Sequence, residues 1–457
     1  MLNNSIEETG HHFVAIFGGS VSGSEAAFQL ANKGFRVVVF EQNTLPYGKI
    51  EDGLPKWHAK LRDKEEALID DKLDHENIIF VPGVRLGKDI DFDELVHHWG
   101  LSAVLLAVGA WKDRPLPVEG IDEYVNKGLV YQNPLVYWFN HYHEPEYKNR
   151  QYEIPDGSVI VGGGLASLDV VKIVMIETVQ KALLKKGIDE DMFRLERGIG
   201  KVLDEHQLTM KDLGLKGCTL IYRREAKDMP LSSFPKDTPE NIAKAEMVNE
   251  KILDNFLKKY LFNFEPLSLP VDMIIENGRL AGLKIQRTQN VDGKIIPVQN
   301  EFYDIKTDMI ISSIGSVPET ITGIPQDGTL FKMTDEKSCR IDGFTNVFAL
   351  GNAVTGRGNI KESLEHGKFV TLDVMEGHFH WMEEDYQKWL RGTEQGITEQ
   401  VTEIAKHISR QKFMSHDAIQ NILVKIDELQ AKVGFDGSYR DWIKQKRPIR
   451  LEELLEQ

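Results

Sequence analysis

"FVAIFGGSVSGSEAAFQLANKGFRVVVFEQ", running from Phe13 to Gln42, decides the fold. Val14 to Phe17 is short and wholly apolar, the pattern of a buried parallel strand. Gly18, Ser20 and Gly23 follow as G-x-S-x-x-G, and Ser24 to Asn32 reads as a helix that Gly34 closes. Arg36 to Phe40 is a second strand, and Glu41 stands at its end. This strand–turn–helix–strand order grips a dinucleotide: the first glycine allows the tight turn, the last lets helix and strand pack, and the helix N-terminus faces the diphosphate. Ser20 replaces the usual middle glycine, and its hydroxyl is expected to donate to a phosphate oxygen. Glu41 lies 23 positions after Gly18, near the roughly 20 expected of a ribose-binding acid. A carboxylate there accepts from ribose hydroxyls and repels a 2′-phosphate, so this site selects FAD or NAD over NADP.

A second unit breaks the tie. "SVIV" (158–161) runs into "GGGLASLDVVKIVM", where Gly162, Gly164 and Ser167 form G-x-G-x-x-S. Leu165 and Ala166 lie in the turn from glycines to helix, and Ser167 is a small residue in the third glycine's place. Thr219 to Tyr222 is the matching second strand, and it ends in Arg223 and Arg224. Two guanidiniums at the ribose position attract a 2′-phosphate, so this site selects NADPH. One site averse to a 2′-phosphate and one seeking it imply hydride passing between two cofactors, with a flavin as the natural recipient.

The rest of the chain bounds the chemistry. Its 457 residues suffice for two or three domains with real cores. The two cysteines, Cys218 and Cys339, are far apart, which excludes a CxxC redox pair and four-cysteine iron–sulfur ligation. The electron acceptor is therefore expected outside the chain. A net charge of −16 argues against non-specific nucleic-acid binding. No apolar run approaches the roughly 20 residues of a membrane span, and the N-terminus lacks the basic and apolar regions of a secretory signal. Sparse cysteine use suits a reducing cytoplasm. No metal site is expected: His141 and His143 are two positions apart and do not share a helix face.

Further stretches carry a resemblance to the two-dinucleotide-binding flavoproteins, in the branch of glutamate synthase small subunits and adrenodoxin-type ferredoxin–NADP reductases. "LPYGKIEDGLPKWHAKLRDKEE" (45–66), with Gly48, is placed like the stretch that lines the flavin. "AVLLAVGAWKDRPLPVEGID" (103–122), with Gly109, is similar to the crossing between domains, and "TDMIISSIGSVPE" (307–319) to its second copy. "NVFALGNAVTGRGNIKESLEHGKFV" (346–370) is similar to the closing flavin motif. There Gly351-Asn352 departs from both branches, which use an aspartate or a tryptophan at the second position. The absence of a cysteine-rich N-terminal domain departs from the glutamate synthase side.

The resemblance implies two Rossmann-like α/β domains: a discontinuous FAD domain (1–115 and 325–380) around an NADPH domain (116–325), with a helical extension (381–457). It implies FAD contacts from Gly358 and from the Ile360 backbone, facing the flavin N1–C2 carbonyl at a helix N-terminus. It also implies hydride transfer from the NADPH nicotinamide to flavin N5, then electron delivery to an iron–sulfur protein. An acidic partner of that kind calls for a basic patch, with Lys56, Lys60, Arg62 and Lys64, Lys258-Lys259, or Lys444, Lys446, Arg447 and Arg450 as candidates. The alternatives are an electron-input subunit of a glutamate-synthase-like complex, a reductase of a small organic substrate, and a non-catalytic nucleotide-binding sensor or scaffold.

Overall fold

A computed structural model describes residues 12–232, 234, 237–291, 293–335, 338–351, 353 and 378–451. The chain divides into two compact units: 1–54, 58–112 and 316–457 form the first, and 55–57 with 113–315 the second. The inserted unit thus ends at Gly315 rather than at 325.

In the first unit, seven strands lie in the order 333–335, 340–341, 347–349, 103–106, 13–17, 36–40, 78–81. The five from Val347–Ala349 to Ile78–Val81 are parallel, and the two short outer strands are antiparallel. Phe13–Phe17 sits centrally, with Val14 beside Val37 on one side and Ala103 on the other. All five of its residues are buried, which is why the strand reads as a continuous apolar run rather than an alternating one. Val14 and Ile16 enter the core on one face, and Phe13, Ala15 and Phe17 enter the core on the other.

The helical C-terminal extension packs within this unit. In His378–Ile408, Leu390, Ile397, Val401, Ile404 and Ile408 recur at helical spacing and join the core that contains Val14 and Ile16. His416–Val433 covers the opposite face through Ile419, Ile422, Ile426 and Leu429. The Ser415 hydroxyl accepts from the Ala418 N–H at one end, and Gly434 adopts φ +74° at the other.

The second unit holds a five-stranded parallel sheet in the order 129–131, 310–313, 159–162, 219–221, 263–265. The helix Leu165–Lys185 follows the strand Val159–Gly162 and leads, through a two-helix insertion, to the neighbouring strand Thr219–Ile221. An antiparallel meander, Ser268–Glu276, Arg279–Val291 and Lys294–Lys306, completes the unit. Its first turn, Asn277-Gly278, has φ +51° and +72°, the left-handed pair that a two-residue hairpin requires.

Candidate functional site

The first glycine turn lies where Phe13–Phe17 ends, between the neighbouring strands Arg36–Phe40 and Ala103–Leu106. Gly18 has φ +100°, and a Cβ there would meet the Ala107 carbonyl oxygen at 2.4 Å. A Cβ on Gly23 would lie 1.7 Å from the Gly18 carbonyl oxygen. Neither position has room for a side chain. The helix begins at Val21, three residues earlier than the sequence reading, so Gly23 lies within its first turn. No side chain caps that helix and no acidic residue occupies its first turn, leaving the positive end of the dipole available to an anion. By contrast, Asp91, Asp191 and Thr238 cap the helices that follow them.

Glu41 is almost fully buried beside this turn. Its carboxylate accepts from the backbone N–H groups of Gly19 and Asn43, each at 2.8 Å. Burial pushes the carboxyl up to about 7, against the pull of those two donors toward the ionised form. Ser20 differs from the sequence expectation: its hydroxyl donates to the Tyr47 carbonyl oxygen at 2.8 Å and is committed to protein. The bond draws the loop before Gly48 onto the turn. Gly48 has φ +54°, and a Cβ there would sit 3.0 Å from the Ser20 Cβ and 3.7 Å from the Trp111 ring. The same indole lies 3.6 Å from the Cβ position of Gly109, which has φ +68°. Gly351, with φ +60°, approaches the same helix start, since a Cβ there would meet the Ser22 hydroxyl oxygen at 2.2 Å. The turns at Gly18, Gly48, Gly109 and Gly351 therefore converge in the first unit. Asn352, Gly358 and Ile360 lie outside the described residues.

The second turn is built differently. A Cβ on Gly162 would meet the Ser313 carbonyl oxygen at 2.5 Å, and one on Gly163 would enter the Tyr222 ring. A Cβ on Gly164 meets nothing within 4 Å among the described residues. Ser167 fits the third glycine position because its side chain is buried and its hydroxyl donates to the Gly164 carbonyl oxygen at 2.6 Å. Leu165 and Ala166 are half-buried at the start of a helix that has no side-chain cap and no acidic first turn. Arg223 is exposed and Arg224 half-buried, one residue beyond the strand Thr219–Ile221. Neither guanidinium pairs with a carboxylate among the described residues.

Several predicted basic-patch residues are placed elsewhere. Lys56 is buried, its ammonium 4.4 Å from the Phe139 ring centre and 4.3 Å from that of Tyr142. Arg62 is buried and paired with Glu51, and Arg450 is buried and paired with Glu66, Asp63 and Glu51. Arg447 pairs with Asp63. Lys60, Lys64, Lys258, Lys444 and Lys446 remain exposed. An Arg in a charged stretch reads alike whether it meets solvent or a buried carboxylate, so the sequence gives no signal for these pairs. Sequence reading also missed Tyr47 and Trp111, although each lies within two residues of a glycine it singled out.

These two glycine turns, on parallel sheets in separate units, define a two-dinucleotide-binding oxidoreductase. Residues 12–192 match the family model of the pyridine nucleotide-disulphide oxidoreductases. Its relatives include adrenodoxin reductases, ferredoxin–NADP reductases and a glutamate synthase small chain. It is 26% identical over 352 residues to the mitochondrial NADPH:adrenodoxin oxidoreductase of Arabidopsis thaliana, covering 69% of each chain. It is 33% identical over 164 residues to the glutamate synthase [NADPH] small chain of Bacillus subtilis, covering 35% of this chain and 31% of that one. The fold matches Mycobacterium tuberculosis FprA in complex with NADPH, with a TM-score of 0.64 at 16% identity over 92% of this chain and 91% of that one. Among the described residues no helix is long and apolar enough to cross a membrane.

Proposed function

We propose that this protein is an NADPH-dependent FAD oxidoreductase that passes electrons to an external iron–sulfur protein. The observation that carries the reading is the contrast at the two ribose positions. Glu41 directly follows the second strand of one glycine unit, and Arg223 and Arg224 follow that of the other after Tyr222. Bound FAD would take up hydride from NADPH and release electrons singly, chemistry that no side chain supplies.

The chain's own residues bind and orient. Gly18, Gly23 and the helix starting at Val21 receive the FAD diphosphate, and Glu41 accepts from the ribose hydroxyls. The segments at Gly48, Gly109 and Gly351 supply close backbone approach. Gly162, Gly164 and the amides of Leu165, Ala166 and Ser167 receive the NADPH diphosphate. Arg223 and Arg224 bind its 2′-phosphate through charge-assisted hydrogen bonds. The residues fit both groups: each turn is free of side chains where a phosphate must approach, and the two unpaired guanidiniums suit a dianion.

The plant relative's name supports an iron–sulfur acceptor, as does the lack of an internal dithiol. The two widely spaced, buried cysteines fit a cytoplasmic setting. The test is turnover with NADPH and oxidised ferredoxin, followed by the ferredoxin's own spectrum. Catalytic reduction with a preference for NADPH over NADH is expected, and a chain that holds FAD yet reduces no iron–sulfur protein contradicts the proposed acceptor.

A further inference from the structure

The C-terminal helix reaches back to the loop between Glu41 and Gly48. In Tyr439–Lys446, the Trp442 indole N–H donates to the Thr44 carbonyl oxygen at 2.8 Å. The neighbouring residue, Asn43, supplies one of the two backbone donors to Glu41. The Tyr439 hydroxyl donates to Asp70 at 2.8 Å, and the Tyr47 hydroxyl donates to the same carboxylate at 3.2 Å. Tyr47 is thus held at its carbonyl by Ser20 and at its ring by an aspartate that the C-terminal helix shares. Arg440 fastens the helix to Asp71 and Asp74, each at 2.8 Å. Beyond it, Arg450 enters the buried acids Glu51 and Glu66. Trp442 is itself buried against Phe435, which packs on Phe80. The two Arg440 pairs are exposed ion pairs of the weak surface kind. The bonds of Trp442, Tyr439 and Tyr47 are partly buried and directional, and those of Arg450 to Glu51 and Glu66 are buried, so together they fix position.

We infer that the C-terminal segment 435–450 is a clasp that holds the 43–48 loop against the first glycine turn, with Trp442 and Tyr439 as positioning residues for the cofactor bound there. The inference rests on the FAD reading of that turn. Neither residue reaches the turn itself, so both act through Thr44, Asp70 and Tyr47. The clasp gives the chain a way to retain a dissociable cofactor without a covalent bond. Its cost is that segment 435–450 must dock before the first site is finished.

The test compares the wild type with Trp442→Phe and with Tyr439→Phe, each of which keeps a ring in the core and removes one donor. FAD release is followed by the rise in flavin fluorescence on dilution, and backbone hydrogen exchange is measured across 41–49 in the FAD-free chain. Each variant is expected to release FAD about fivefold faster, the effect of one lost hydrogen bond. Exchange across 41–49 is expected to speed up while the rest of the first unit exchanges as in the wild type. Both variants releasing FAD at the wild-type rate overturns the inference, whatever the loop exchange shows. A wild type that takes up no FAD overturns the functional reading and the clasp with it, a result distinct from normal uptake with unaltered release.

Discussion

The two glycine turns share a plan and differ in what surrounds them. At the first, Glu41 is buried, the middle residue Ser20 is bonded to a neighbouring loop, and the C-terminal helix bonds to that loop. At the second, the middle residue Gly164 faces open space, Arg223 is exposed, and both arginines are free of carboxylate partners among the described residues. One turn is tied through its middle residue to a loop that the C-terminal helix also holds, and the other stands beside two cations that no carboxylate among the described residues pairs.

The sharpest way to break this comparison is to place a methyl group at corresponding turns. Gly23→Ala puts a Cβ into the Gly18 carbonyl, so the first turn must rebuild. Loss of bound FAD is expected, with a thermal midpoint lowered by several degrees. Gly164→Ala meets nothing among the described residues, so its thermal midpoint should stay at the wild-type value. Comparable destabilisation by both substitutions, read by calorimetry, removes the distinction between the packed Gly23 position and the unpacked Gly164 position.

Next in size is the cofactor preference. Arg223→Ala with Arg224→Ala removes two charge-assisted contacts, and the ratio of kcat/KM for NADPH over NADH is expected to fall about 100-fold. An unchanged ratio takes the 2′-phosphate away from these residues.

A pH titration sharpens the account of the first site. The Glu41 carboxyl, pushed up to about 7, receives ribose hydroxyls best when ionised. FAD affinity should therefore rise about tenfold from pH 6 to pH 8. The FAD-free chain moves the other way. A folded-state value above the ordinary 4.5 gives stability that is full below 4.5 and is lost as pH rises through about 7. Glu41→Gln should flatten both trends, and a flat wild-type profile contradicts them. The smallest expected effect is that of Ser20→Ala, which removes the bond to the Tyr47 carbonyl. FAD release about fivefold faster is expected from fluorescence on dilution.

Local chemistry made much of this legible. Both glycine elbows, Glu41 and the Arg223-Arg224 pair are short-range patterns within a strand–helix–strand unit, so period and turn residues suffice to read them. The hairpin at Asn277-Gly278 and the capped helix from Ser415 to Gly434 are legible for the same reason. What the sequence hid is long-range. Ser20 reads as a phosphate donor until Tyr47 is brought beside it. Arg62 and Arg450 read as surface cations until the fold sets them against Glu51 and Glu66. Trp442 and Thr44 lie nearly 400 positions apart, and no periodicity links them. The departures at Ser20 and Ser167 resolve in different ways: Ser167 is small enough to turn its hydroxyl onto the Gly164 carbonyl, whereas Ser20 gains a loop contact that glycine cannot make.

The central claim is that one chain brings NADPH to an FAD held by its own first turn. Its most direct test is the visible spectrum of the purified protein under anaerobic titration with NADPH and, separately, with NADH. A yellow protein whose flavin band bleaches at about one equivalent of NADPH, and far more slowly with NADH, is the predicted result. A chain that stays colourless after incubation with FAD, or whose bound flavin is indifferent to NADPH, contradicts the account.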